Sequence, residues 1–355
     1  MGNRQNKAII LWLLTGAFLI VAMVVIGGIT RLTGSGLSMV EWKVISGAIP
    51  PLNEAEWQLA FHKYQQFPEF QKVNFSMTLS GFKQIFWWEY LHRLLGRVIG
   101  LVFIIPFLYF LATKQVKGWL LRRLLLLLML GMGQGLMGWV MVKSGLVDNP
   151  HVSHYRLAAH LFLALALIGV ILWTVADLLA SGHPYQPNSK PLRSLSKVVL
   201  GAILLQILLG AFVAGLKAGF SYNSFPLMNG ELYPRTQMDI LTWQNFMENG
   251  PLMQFLHRWV AMAVLVLVAW FWYKSRQENL STSTKNLINL LLASVLAQVL
   301  LGVVTLLWQI PVTLGVLHQV VAVAVFAVAV LLVHQPTDKS PEKSLSIHPL
   351  KKSYH

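Results

Sequence analysis

The sequence predicts an all-α polytopic membrane protein, with eight transmembrane helices arranged as two pseudo-repeated four-helix bundles. Three observations carry that prediction. Of 355 residues, 55% are hydrophobic and only 12% charged, about half the roughly 25% charged residues of a soluble domain. Apolar runs recur along the whole length at about 20 residues, enough to cross a bilayer at about 1.5 Å per residue. The second half of the chain then repeats the polar landmarks of the first, in the same order.

The apolar runs fall at 8–28, 86–112, 124–142, 156–180, 198–216, 252–273, 287–307 and 312–333. The first follows Arg4 and Lys7 and ends at Gly27-Gly28 without a small-x-small cleavage signature. It reads as a retained span rather than a signal or transit peptide. Between the spans, charge alternates. The N-terminus, 113–123, 181–197, 274–286 and the tail from His334 together hold 16 Lys/Arg and 3 acidic residues. The intervening pieces, including the long stretches 29–85 and 217–251, are nearly balanced. The positive-inside rule places the basic pieces, and so both termini, in the cytoplasm. An even number of spans agrees. The formal charge of +15 belongs to this topology, and no nucleic-acid partner is expected. The chain has no cysteine, which excludes a disulfide framework, a thiolate metal site and a redox thiol pair.

The repeat is carried by polar residues inside the spans. His92-Arg93 near the start of the second span answers to His257-Arg258 in the sixth. Gln134-Gly-Leu-Met-Gly138 in the third answers to Gln298-Val-Leu-Leu-Gly302 in the seventh, and His160 in the fourth to His318 in the eighth. From histidine to glutamine the separations are 42 and 41 residues, and from glutamine to the next histidine 26 and 20. Four spans per half point both halves the same way across the membrane. The N-terminal half is 1–180. The C-terminal half is 181–355 and includes a cytoplasmic tail.

An ionisable residue within a span is costly and marks function by default. His92 and His160 share one depth, and His257 and His318 another, on diagonal helices of an up-down bundle. Two imidazoles facing each other at one level suit the two axial positions of heme iron. Structural, hydrogen-bonded histidines are the alternative. Zinc would need a third or fourth ligand nearby, and no His or carboxylate stands at helical spacing beside His160, His257 or His318. His62, His151, His154, His183, His334, His348 and His355 fall in loops or at a boundary.

Gly131, Gly133, Gly135, Gly138 and Gly302 admit a flat ligand or simply a close neighbouring helix. Arg93, Arg97 and Arg258 are candidate partners for heme propionates. For Arg93 the competing partner is Glu89, one turn earlier in the favourable acid-then-base order. Glu89 stands three residues before His92, where the second half has Gln254 before His257. That inequality assigns proton-coupled chemistry to the first half and electron storage or relay to the second. A Glu89 that only pairs with Arg93 is the other reading.

Three strings carry a family resemblance: Gly-Gly-Ile-Thr-Arg-Leu-Thr-Gly-Ser-Gly-Leu-Ser at 27–38, Glu-Tyr-Leu-His-Arg-Leu-Leu-Gly-Arg at 89–97 and His-Tyr-Arg-Leu-Ala-Ala-His-Leu at 154–161. With the duplicated histidines they make the chain resemble heme A synthase over essentially its whole length, on the Cys-free proteobacterial and mitochondrial-type branch. The resemblance implies oxidation of the C8 methyl of heme O to a formyl, giving the heme A of cytochrome c oxidase. It further implies that His92 and His160 face the substrate heme O, in the N-terminal half. His257 and His318 would then ligate a heme b cofactor in the C-terminal half, and Glu89 would be the catalytic carboxylate. Family members with a Cys pair in an outer loop use chemistry that this chain lacks the residues for.

The expected setting is a bacterial inner membrane. Heme O, membrane lipid, a heme O-producing farnesyltransferase, cytochrome c oxidase assembly factors and a second copy of the chain are the partners considered. Two other functions fit the same histidines: a diheme b-type quinone oxidoreductase subunit, and a heme carrier or chaperone without chemistry.

Overall fold

Long apolar segments with no polar partner outside must satisfy their backbone groups internally, so they fold as helices. The computed structural model describes residues 3–42, 46–147, 150, 152–180 and 190–334. His151, His183, His348, His355 and the tail beyond His334 lie outside the described residues. Eight described helices are long and apolar enough to cross a membrane. They are α1 (Asn3–Leu32), α4 (Leu79–Ala112), α5 (Gly118–Gly145), α6 (His154–Ala180), α7 (Lys190–Gly215), α9 (Gly250–Ser275), α10 (Thr282–Leu307) and α11 (Val312–His334). Three shorter helices, α2 (Glu54–Gln65), α3 (Pro68–Lys72) and α8 (Arg235–Asp239), lie in the two long connections.

Each apolar run read from the sequence falls on one of these helices, and the helices extend further. Their extra turns are polar or capped, which hydropathy does not register. Helix α4 starts seven residues before the run, where the Thr78 hydroxyl accepts from the Gly81 N–H at 3.3 Å. Helix α10 starts at a Ser281 cap, and α9 at an Asn249 cap with Pro251 in its first turn, where a missing N–H does no harm.

Packing is pairwise and continuous. Helix α1 lies on α4 and α6, and α5 on α6; α7, α9, α10 and α11 contact one another in a closed ring. The two sets meet where α1 touches α11, α6 touches α7, and α6 touches α11. One neighbour contact is nearly missing: α4 and α5 scarcely touch, whereas α9 and α10 pack against each other. Ile9, Leu13, Leu124, Ile168, Val268, Leu291 and Phe326 are among the buried residues of the shared core. Leu101, Val266 and Leu300 stay exposed, as lipid-facing positions do.

Helix α2 builds a small aromatic layer on the N-terminal turns of α4. Trp57 and Tyr64 of α2 pack on Phe82, Phe86 and Tyr90 of α4. Trp57 meets Phe86 edge-on at 4.9 Å, and Tyr64 stacks on Phe82 at 5.2 Å. The Tyr90 hydroxyl donates to the Ala48 carbonyl at 2.8 Å. This layer caps the end of α4 that carries Glu89 and His92.

Candidate functional site

Each of the four intramembrane histidines lies against a glycine of a neighbouring helix. A Cβ on Gly27 of α1 would stand 3.1 Å from His92, and one on Gly138 of α5 3.5 Å from His160. On Gly210 of α7 and Gly302 of α10 it would meet His257 and His318 at 2.9 Å. The last two are closer than Cβ atoms normally come, so a side chain at either position would push the histidine ring aside. Gly131, Gly133 and Gly135 show no such approach; nothing lies within 4 Å of their Cβ directions.

One turn before three of these glycines stands a glutamine. Gln206 Nε2 lies 3.0 Å from His257 Nδ1 and donates to the His257 carbonyl at 2.9 Å. Gln298 Nε2 donates to the His318 carbonyl at 3.0 Å and lies 3.3 Å from the His318 ring. Gln134 Nε2 lies 3.4 Å from His160 Nε2. Gln134 and Gln298 were visible in the repeated strings of the sequence. Gln206 and Gly210 have the same Gln-x-x-x-Gly spacing but lie outside those strings.

The His257 and His318 rings face each other with centroids 6.4 Å apart and planes at 80°. Imidazole nitrogens bind a metal at about 2 Å, and adding one ring radius on each side gives a separation of this size. His318 Nδ1 and the Oε1 atoms of Gln206 and Gln298 are buried without a hydrogen-bond partner. A ligating histidine donates its second ring N–H to an outer acceptor, and such orphaned atoms beside the rings match that need. The residues of the second half therefore fit a bis-histidine heme. In the first half, His160 Nδ1 and Gln134 Oε1 are likewise orphaned.

One turn before His92 and His257, Glu89 and Gln254, with Arg93 and Arg258, bind the neighbouring connections, one through an acceptor and the other through a donor. The Glu89 carboxylate is buried and accepts from the Ser38 hydroxyl at 2.7 Å, the Met39 N–H at 2.8 Å and Arg93 at 2.5 Å. Arg93 also donates to the Met39 and Glu41 carbonyls at 2.7 and 2.9 Å, and its guanidinium lies over the Trp42 ring. In the second half Gln254 donates to the Gly219 and Tyr222 carbonyls, and Arg258 to those of Tyr222 and Ser224 at 2.6 and 2.7 Å. Glu89 and Arg93 thus form the pair that the sequence offered as one option. Arg93 and Arg258 are both engaged with loop carbonyls. Arg97 lies one turn further along α4. Ser38 and the Met39 N–H had no separate signal in the sequence.

Beyond the spans, Glu69 of α3 is a second buried carboxyl. Burial pushes it up to about 7; the neighbouring Glu89 charge adds to this and Lys217 opposes it. The Tyr64 hydroxyl is pushed up to about 12, chiefly by burial.

Sequence comparison agrees with this geometry. The model of the cytochrome oxidase assembly protein family COX15-CtaA matches residues 10–330. The heme A synthase of Nitrosospira multiformis is 48% identical, over 93% of this chain and 94% of its own length. Those of Flavobacterium psychrophilum and Bradyrhizobium diazoefficiens are 45% and 44% identical, over 94% and 93% of this chain and 99% and 91% of theirs. A family match of that extent reaches into every spanning helix and includes all four histidines, so the chain belongs to the COX15-CtaA cytochrome oxidase assembly family.

Proposed function

We propose that the protein is a heme A synthase, an oxidoreductase that converts the C8 methyl of heme O to a formyl. The observation that carries this reading is the unequal duplication. Two histidine pairs sit in matching helix positions, and only the first has a carboxylate one turn outward, Glu89 against Gln254.

The two halves, 1–180 and 181–355, form pseudo-repeated four-helix bundles. Two contacts between them support this arrangement, because they exchange the same residue types. Leu32 of α1 packs on the Gly315 position of α11, and Leu157 of α6 on that of Gly215 of α7. Both termini are cytoplasmic in an inner membrane, in keeping with the basic loops. A reporter fused after Gln335 is expected to be active only as a cytoplasmic fusion; periplasmic activity there would overturn the orientation.

In this reading His257 and His318 hold heme b, which when bound supplies the electron-accepting chemistry that side chains lack. His92 and His160 would hold heme O, with Glu89 one turn before His92 on α4. The Glu89 carboxylate is the proton-handling group of the site, and Ser38, the Met39 N–H and Arg93 fix its position. The aromatic layer on α4 shields it from water. The loose seam between α4 and α5 suits a substrate with a farnesyl tail, which moves laterally from lipid into the bundle. Cytochrome oxidase assembly is the setting, with a heme O-producing farnesyltransferase upstream.

Extraction of hemes from cells expressing the chain, with and without that farnesyltransferase, tests the reading. Heme A is expected only when heme O is supplied. Heme b alone under both conditions would fit an electron-transfer subunit or a carrier and would sink the synthase assignment.

A further inference from the structure

The glycine that receives each histidine is preceded, four residues earlier, by Gln134, Gln206 and Gln298 in three cases and by Met23 in the fourth. The contacts follow suit. Gln206 bonds the His257 carbonyl, at the head of the α9 turn that leads to Ala261. Met23 packs at the corresponding turn of α4, its Cε 3.5 Å from the Cβ position of Gly96, four residues after His92. A thioether donates no hydrogen bond and accepts only weakly. It fills space adaptably but cannot hold an imidazole in one orientation. Among the four histidines, His92 alone has no glutamine at this position.

We infer that Met23 is a positioning residue that makes His92 an exchangeable iron ligand, so that substrate heme enters and product heme leaves the first half. Gln206 and Gln298 make the second pair permanent. This rests on the heme reading of both histidine pairs given above. It answers a requirement of the reaction that the ligands alone leave open: one half must release its heme every turnover, and the other must keep it. Outer partners of a metal-bound histidine commonly change metal affinity by about 10–100-fold, which is enough to divide a resident group from a passing one. The open α4–α5 seam lies in the same half as Met23, so a loosely held ligand and a route to lipid occur together.

The test uses the full-length protein in detergent, carrying its resident heme and loaded with one further equivalent of hemin. Transfer to excess apomyoglobin is followed by absorbance. Wild type is expected to release heme in two phases, one fast and one slow. Met23→Gln is expected to slow the fast phase by about tenfold and to sharpen the low-spin spectrum of the added heme. Gln206→Met is expected to speed the slow phase by a similar factor. It guards against misfolding of the first variant, since it perturbs the other half. Equal rates in wild type, or unchanged phases in both variants, would overturn the proposal. A His92→Ala control separates the underlying reading. If the added hemin binds that variant with an unaltered spectrum, or does not bind wild type at all, the assignment of His92 as a heme ligand is what fails.

Discussion

The first four and the last four spanning helices of the chain differ at four places. The first half has Glu89 where the second has Gln254, and Met23 where the second has Gln206. Its glycine cradles are looser, 3.1 and 3.5 Å against 2.9 Å in both cradles of the second half. Its α4 and α5 scarcely touch, while α9 and α10 pack against each other. All four differences run the same way: the second half grips, and the first half opens and carries a charge. Under the proposed assignment, these differences would divide storage from chemistry without a change in the histidine ligands.

The largest effect is expected from removing the charge that distinguishes the halves. Glu89→Gln should lower heme A, normalised to bound heme b, by on the order of 100-fold, the scale of a lost acid–base group. The substitution is not neutral in hydrogen bonding. Both carboxylate oxygens accept from donors, and an amide must turn its NH₂ toward one of them. Some loss of yield through weaker folding, of about 1–3 kcal/mol, is therefore expected as well. Ser38→Ala removes one donor and keeps the charge, so its normalised yield should fall by only a few-fold. Equal losses in the two variants would reduce Glu89 to a loop clamp.

A smaller effect is expected from tightening the cradles. Gly210→Ala or Gly302→Ala pushes a methyl to 2.9 Å from the facing histidine, and overpacking of this kind costs about 1–3 kcal/mol. Heme b content should fall several-fold. Gly131→Ala and Gly135→Ala, with nothing within 4 Å, should leave it intact. Equal heme content in all four variants would mean that the cradles do not position the rings.

The smallest effect concerns the outer layer. Burial lifts Glu69 from 4.5 to about 7, so the folded state holds its proton more tightly than the unfolded chain does. The stability tied to that proton is complete below about 4.5 and is lost as pH rises through about 7. Glu69→Gln should remove this slope, raising Tm at pH 8 relative to wild type by a few degrees while changing it little at pH 4. Parallel Tm profiles for the two proteins would show that the carboxyl is not held neutral by burial.

Much of this was legible in the sequence, for physical reasons that differ by feature. The eight spans stood out because a bilayer tolerates few charges over about 20 residues. The histidine pairs stood out because a polar group there is rare. The extra turns of α4 and α7 did not, since a polar helix outside the membrane has no hydropathy signal. Helices α2 and α3 were hidden for a similar reason; their contacts are to distant aromatics of α4. The clamp on Glu89 uses a backbone N–H, which every residue but proline has. Gln206 and Met23 were readable in principle, through the four-residue spacing to Gly210 and Gly27, but only once each glycine is known to face a histidine.

The most direct test of the division between the halves is the heme composition of purified His92→Ala and His257→Ala proteins, each expressed with a heme O supply. His92→Ala is expected to keep its heme b and to contain no heme A. His257→Ala is expected to lose heme b while unconverted heme O remains with the protein. Loss of heme b in His92→Ala to the same extent as in His257→Ala, or full heme b in both, would contradict the division.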